Sequence, residues 1–428
     1  MKIQTVEAFQ IYDSRGNPTV EAVVKLENGV CGSGLVPSGA STGQFEALEL
    51  RDGDKGHLRG KAVGKAAGHV CGEIAEAVCG RNVFDQEGLD RAMIALDGTA
   101  NKSRLGANAV LGVSMAAANA AARARGEPLY ACLGSGRGNL LPLPEIQIIG
   151  GGAHANWRTD VQDFLVIATG ARSYAETLEI TFNIYHAAGD ILKERGRYCG
   201  LADEGGYWPV FETNEEVFET LIEAIERAGY TPGKEAGISL DIAASDLFDE
   251  ERQVYRFALE ERTFSPGEFA DLMLTWCGKY PVVSIEDPLA DTDTAGWKRF
   301  TGALGKRVQI IGDDLFTTNP ERIAAGIQAG LANSVLIKLN QIGTVTETLE
   351  AIRMTQEARW LPVVSARSGE TEDAFISHLT VAANAGQLKV GSFARSERMV
   401  KWNECLRIER SLGGAARFLG AGIFPFWG

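Results

Sequence analysis

The chain reads as an α/β protein in which a small α+β domain precedes a larger α/β barrel, and three observations point there. From about residue 140 onward, short apolar runs with strand character alternate with helical patterns. Those runs end in polar residues: 237–241 in Asp241, 282–287 in Glu286 and Asp287, 308–314 in Asp313 and Asp314, 334–338 in Lys338 and 386–389 in Lys389. Before residue 134 the order differs, with strands first and helices after them. Polar side chains gathered at strand ends place a site on the carboxyl face of a barrel.

The elements follow in order. Residues 2–12 and 19–27 alternate apolar and polar, and Asn28-Gly29 turns the chain into a third strand near 30–36. The stretch 36–43 is too rich in small residues for regular structure, and reads either as a plain loop or as a lid over a ligand. Helical spacing marks 61–78, 87–97 and an alanine-rich 107–125. Glycines at 134, 136 and 138 with Pro142 and Pro144 mark a linker, dividing the chain into a capping domain over 1–134 and a barrel over 140–428. Barrel helices are expected near 173–194, 214–228, 266–278, 320–329, 345–357, 372–384 and 397–409.

A chain of 428 residues can bury two cores, and 45% hydrophobic with 23% charged residues suits a soluble globular protein. The formal charge of −14 argues against nucleic acid or an anionic membrane surface as partner. Seven scattered cysteines without a CxxC pair read as buried free thiols in a reducing compartment. With no leader and no bilayer-length apolar run, a cytoplasmic location is expected.

Lys338 ends an apolar strand, where desolvation would lower its pKa and free a neutral amine to act as a base. Asp241, Glu286 and Asp313 are hard oxygen donors on successive strand ends, a plausible magnesium site. They could also cap helices or pair with Lys338 and Lys389 as ordinary ion pairs. A lysine base beside magnesium suits removal of a weakly acidic proton next to a carboxylate. Glu204, in Asp203-Glu204-Gly205-Gly206, could protonate a departing hydroxyl, and Arg367 offers a fork for phosphate. Gly150-Gly151-Gly152 is weak as a phosphate loop, since no GK[ST] follows. His154 beside it is as compatible with a structural histidine as with a functional one.

Together these stretches resemble the enolase family over essentially the whole chain. The resemblance rests on the runs 13–21, 38–43 with 46–54, 151–155, 203–206, 284–287, 312–315, 336–343, 367–373 and 394–398. It implies an enolase-type modified (β/α)8 barrel with an N-terminal α+β capping domain, two magnesium ions and a homodimer. It also implies Lys338 as the base at C2, Glu204 as the acid, and Asp241, Glu286 and Asp313 around the first metal. Ser41 would help hold the second metal, Lys389 the substrate carboxylate, and Arg367 with Ser368 the phosphate, His154 lying nearby. The mechanism is the superfamily's general one: a lysine or histidine base with magnesium.

The departures cluster around the phosphate. Ala366 stands where the family has histidine, Asp163 where it has a catalytic glutamate, and Phe45 where a loop histidine is common. Trp157-Arg158 and Trp208 are also unusual. Losing an imidazole beside Arg367 would open room for a bulkier group, with Arg158 as a cation for an added carboxylate. The expectation is therefore a small phosphorylated or phosphonylated glycerate, with the carboxyphosphonoenolpyruvate branch of phosphonate biosynthesis ahead of 2-phosphoglycerate. A binding protein without catalysis is the reading from another class.

Overall fold

The computed structural model describes residues 1–40 and 43–427. Strands β1 (Ile3–Tyr12), β2 (Pro18–Leu26) and β3 (Cys31–Leu35) form an antiparallel sheet, turned as Asn28-Gly29 requires. The alanine-rich helix Ala107–Arg125 lies on that sheet almost wholly buried. Its approach is close because β3 carries glycine: a Cβ on Gly32 would stand 2.2 Å from the backbone nitrogen of Ala120, and one on Gly34 2.4 Å from the carbonyl of Gly112.

Eight strands close the barrel: β4 (Leu143–Gly150), β5 (Asp163–Ile167), β6 (Gly237–Asp241), β7 (Val282–Glu286), β8 (Gln309–Gly312), β9 (Ser334–Ile337), β10 (Leu361–Ser365) and β11 (Gln387–Ser392). They pair in chain order, and β11 returns to β4. β5 is antiparallel to both neighbours and all other pairs are parallel. The first unit is thus two strands followed by two helices, Tyr174–Glu194 and Glu215–Arg227. After it the strand–helix alternation read from the sequence holds.

Helices begin where the sequence supplies caps. Ser265 and Glu268 form a capping box before Pro266, and Asn319 accepts hydrogen bonds from the amides of Glu321 and Arg322 ahead of Pro320. Three expectations need correcting. A helix at Thr294–Leu304, capped by Asp293, was not expected, nor was the small sheet of Phe248–Asp249, Val254–Phe257 and Arg262–Phe264. Of the cysteines only Cys277 and Cys405 are buried; Cys71, Cys79 and Cys199 are exposed and none is bonded to another. No described helix is long and apolar enough to cross a membrane.

Inside the barrel a buried polar layer joins Ser239, Glu145, Gln387 and Gln309, with Ser239 Oγ donating to Glu145 at 2.7 Å and Gln309 to Gln387 at 2.8 Å. The N-terminal part is tied to the barrel by Asp90, which accepts from the Thr346 amide at 3.0 Å and its hydroxyl at 2.6 Å, and by the Lys102–Glu347 ion pair. These ties set the loop at 43–47 against the barrel's carboxyl face, where the Ala47 amide donates to the Gln341 carbonyl.

Candidate active site

The carboxyl ends of the strands bring most of the expected residues around one cavity, lined by His154, Asp163, Glu204, Asp241, Asp313, Lys338, Ala366, Arg367, Ser368 and Lys389. Register accounts for the acids: Glu286 pairs with Asp241 across β7 and β6, and with Ile311 across β7 and β8, two residues before Asp313. Glu286 lies just behind the cavity wall, against Lys389. Ser41 falls outside the described residues.

Lys389 is not a strand-end residue, as the sequence suggested; β11 continues to Ser392. Its ammonium donates to Asp241 at 2.8 Å and Glu286 at 2.7 Å and lies 3.7 Å from Asp163. Burial pulls this ammonium's pKa down, but Asp241, Glu286 and Asp163 outweigh burial and hold it well above the usual lysine range.

Lys338 follows β9 directly and donates to Asp313. The desolvation expected to leave it neutral is opposed here by its neighbours. Burial pulls its pKa down, yet the Asp313 carboxylate, with Glu286 behind it, more than compensates and holds it above the ordinary value.

His154 Nδ1 lies 3.9 Å from Asp163 and 4.0 Å from Glu204, too far for a hydrogen bond to either. Burial lowers the imidazole's pKa, but these two carboxylates outweigh it and favour the imidazolium. Asp163 in turn is pushed up by burial and brought below the carboxylate range by His154 and Lys389. Glu204 is placed by backbone: its carbonyl accepts from the Ser392 amide at 2.9 Å. Gly391 permits this approach, with φ at +114° and a would-be Cβ only 3.0 Å from Glu204.

Several residues at the site were not singled out from sequence. Gln162 donates to Asp241 at 2.9 Å, while Gln147 donates to Asp163 and accepts from the Gly206 amide at 2.8 Å. Gln341 donates to Asp313 at 2.8 Å. Glu46, at the head of the run 46–54, forms a buried ion pair with Arg367. Their signal was adjacency to expected residues, but an amide side chain carries no charge to draw notice. Arg158 does not join the cavity; its guanidinium lies 5.4 Å from the centre of the Trp208 ring. Phe45 is half exposed and stacks on Arg322 at 3.7 Å.

The donor set fits magnesium. Asp241, Glu286 and Asp313 offer only hard oxygens, and Glu286 Oε1 is buried with no hydrogen-bond partner. The carboxylates also outnumber the lysines. Burial, then Asp241 and Asp313, push the Glu286 carboxyl well above its usual range despite Lys389. Burial, then Asp313, push Asp314 up to about 8. A divalent cation would relieve that crowding.

Comparisons with known proteins identify the family. The family model described as "Enolase, N-terminal domain" matches residues 3–133, and "Enolase, C-terminal TIM barrel domain" matches 138–425. The protein named "Enolase 1" from Desulfitobacterium hafniense (strain Y51) is 54% identical over 424 residues, covering 99% of this chain and 97% of that relative. The chain belongs to the enolase family and is a hydro-lyase of that superfamily.

Proposed function

We infer that the chain dehydrates 2-phosphoglycerate to phosphoenolpyruvate. The observation that carries this reading is the placing of Lys338, Glu204 and the Arg367-Ser368 pair around one small cavity. Near-full-length identity of 54% to a protein named "Enolase 1" supports the substrate.

Lys338 Nζ takes the C2 proton, for which it must first lose its own proton and its contact with Asp313. The electron pair left on C2 forms the C2–C3 double bond as the C3–O bond breaks, and Glu204 gives the leaving hydroxyl the proton that makes it water. Lys389 compensates the substrate carboxylate, and Arg367 with Ser368 holds the phosphate. Asp163, fixed by Gln147, keeps His154 charged beside Glu204. Asp241, Glu286 and Asp313 would hold the first of two magnesium ions, which would supply positive charge against the negative charge developing on the substrate carboxylate. The division into a 1–134 capping domain and a 140–428 barrel, assembly as a homodimer and a location in the cytoplasm belong to the same reading.

This reverses the order of substrates read from the departures. A carboxyphosphono group needs added room and an added cation at the phosphate end. Arg158, the cation proposed for that group, stacks on Trp208 and does not line the cavity, and the relative 54% identical over 99% of this chain is named "Enolase 1". Turnover of 2-phosphoglycerate with magnesium, measured beside a known enolase and the Ala366→His variant, tests the reading. Rates within about tenfold of the known enzyme are expected. A folded, magnesium-binding protein that ignores 2-phosphoglycerate but turns over the carboxyphosphono analogue would overturn it.

A further inference from the structure

Arg367 reaches the cavity already held from behind. Its Nη1 donates to Glu46 Oε2 at 3.0 Å and to Asn340 Oδ1 at 2.9 Å, and its Nη2 donates to Glu46 Oε1 at 3.2 Å. The two side chains are 4% and 6% exposed, so this is a buried two-point pair, which fixes a guanidinium plane as a single contact cannot. Glu46 comes from the opposite end of the chain, 321 residues away.

Glu46 Oε1 also accepts from the Gly43 amide at 3.1 Å and from Gln341 Nε2 at 3.3 Å. The same Gln341 nitrogen donates to Asp313, the partner of Lys338. One carboxylate thus connects the loop at 43–47, the phosphate arginine and the carboxylate that holds the base. Glu46 is absent from the cavity lining, whereas Arg367 and Ser368 belong to it. It holds both terminal nitrogens of the guanidinium without itself lining the cavity.

We propose that Glu46 is a positioning residue for the reaction: it orients the Arg367 guanidinium towards the phosphate and couples that orientation to the seating of the 43–47 loop. This rests on the reading above that Arg367 holds the phosphate. Two alternatives predict other behaviour. If Glu46 only neutralised Arg367, removing its charge would tighten phosphate binding; if it only anchored the loop, stability would fall and phosphate affinity would not change.

The test uses the full-length protein with magnesium and inorganic phosphate as probe, by titration calorimetry and as a competitive inhibitor of 2-phosphoglycerate turnover. Glu46→Gln keeps the shape and removes the charge, Glu46→Asp keeps the charge and shortens the reach, and Arg367→Lys serves as control. Glu46→Gln should weaken phosphate binding by roughly tenfold or more, with KM rising more than kcat falls. Glu46→Asp should fall between that variant and wild type. Phosphate affinity equal to or tighter than wild type in folded Glu46→Gln overturns the proposal, and if that variant does not fold, wild-type affinity in Glu46→Asp does so. If Arg367→Lys weakens phosphate while both Glu46 variants leave it unchanged, only the Glu46 role falls. If Arg367→Lys also leaves phosphate binding unchanged, the phosphate reading falls and takes this one with it.

Discussion

Glu286 accepts a hydrogen bond from Lys389 at 2.7 Å through one carboxylate oxygen, while its other oxygen is buried without a partner. A half-satisfied buried carboxylate is costly, and here several share one barrel mouth. Binding of a cation to this set must therefore stabilise the fold. At magnesium a hundredfold above its dissociation constant, about 2.7 kcal/mol of added stability is expected, read as a rise in Tm. Glu286→Gln should lose most of that rise. A variant stabilised by magnesium as much as wild type would remove Glu286 from the ligand set.

Lys338 pairs with Asp313, while Lys389 pairs with Asp241 and Glu286. Lys338→Ala should lower C2 proton exchange by about 10² to 10⁴-fold or more, the usual contribution of a positioned base. The fold should survive, since the side chain borders a cavity. Exchange measured by deuterium uptake at C2 decides the point: appreciable exchange in the folded variant assigns the base elsewhere.

Arg158 was read from sequence as a specificity cation, yet its visible partner is the Trp208 ring. Removing it should cost about 0.5 kcal/mol of stability, the scale of a partly exposed cation–π contact. The KM for 2-phosphoglycerate should stay within about twofold of wild type. A much larger KM effect in Arg158→Ala, seen in steady-state rates, would restore Arg158 to the substrate site.

What was legible in the sequence divides along physical lines. Asp241, Glu286 and Asp313 stood out because a charged residue closing an apolar run has few places to go but a strand end. Lys389 was misplaced by the same logic, since the small and apolar residues after it let β11 run on to Ser392. The antiparallel β5 was hidden because a short apolar run carries no mark of its direction. The helix Thr294–Leu304 was obscured by Gly296 and Gly302, which weaken the helical pattern. The contact of Lys338 with Asp313 could not be read locally, because that carboxylate lies 25 residues away.

Away from the site, His378 Nε2 lies 3.2 Å from Glu404 on the helix Ser396–Leu412, and Arg407 donates to the same carboxyl at 2.8 Å. The His378 hydrogen bond, with help from Arg407 and against partial burial, brings the Glu404 pKa down to about 2. A carboxyl depressed in the folded state contributes stability above its unfolded pKa, near 4.5. That contribution fades as pH falls from there towards 2. Because the group is partly exposed, screening reduces the effect to about 1 kcal/mol. Glu404→Gln should therefore unfold in urea about 1 kcal/mol more easily than wild type at pH 7, and the gap should narrow steadily below pH ~4.5. A gap that stayed constant from neutral pH down to pH ~3 would mean that packing, and not the ionised carboxylate, accounts for the contribution of Glu404.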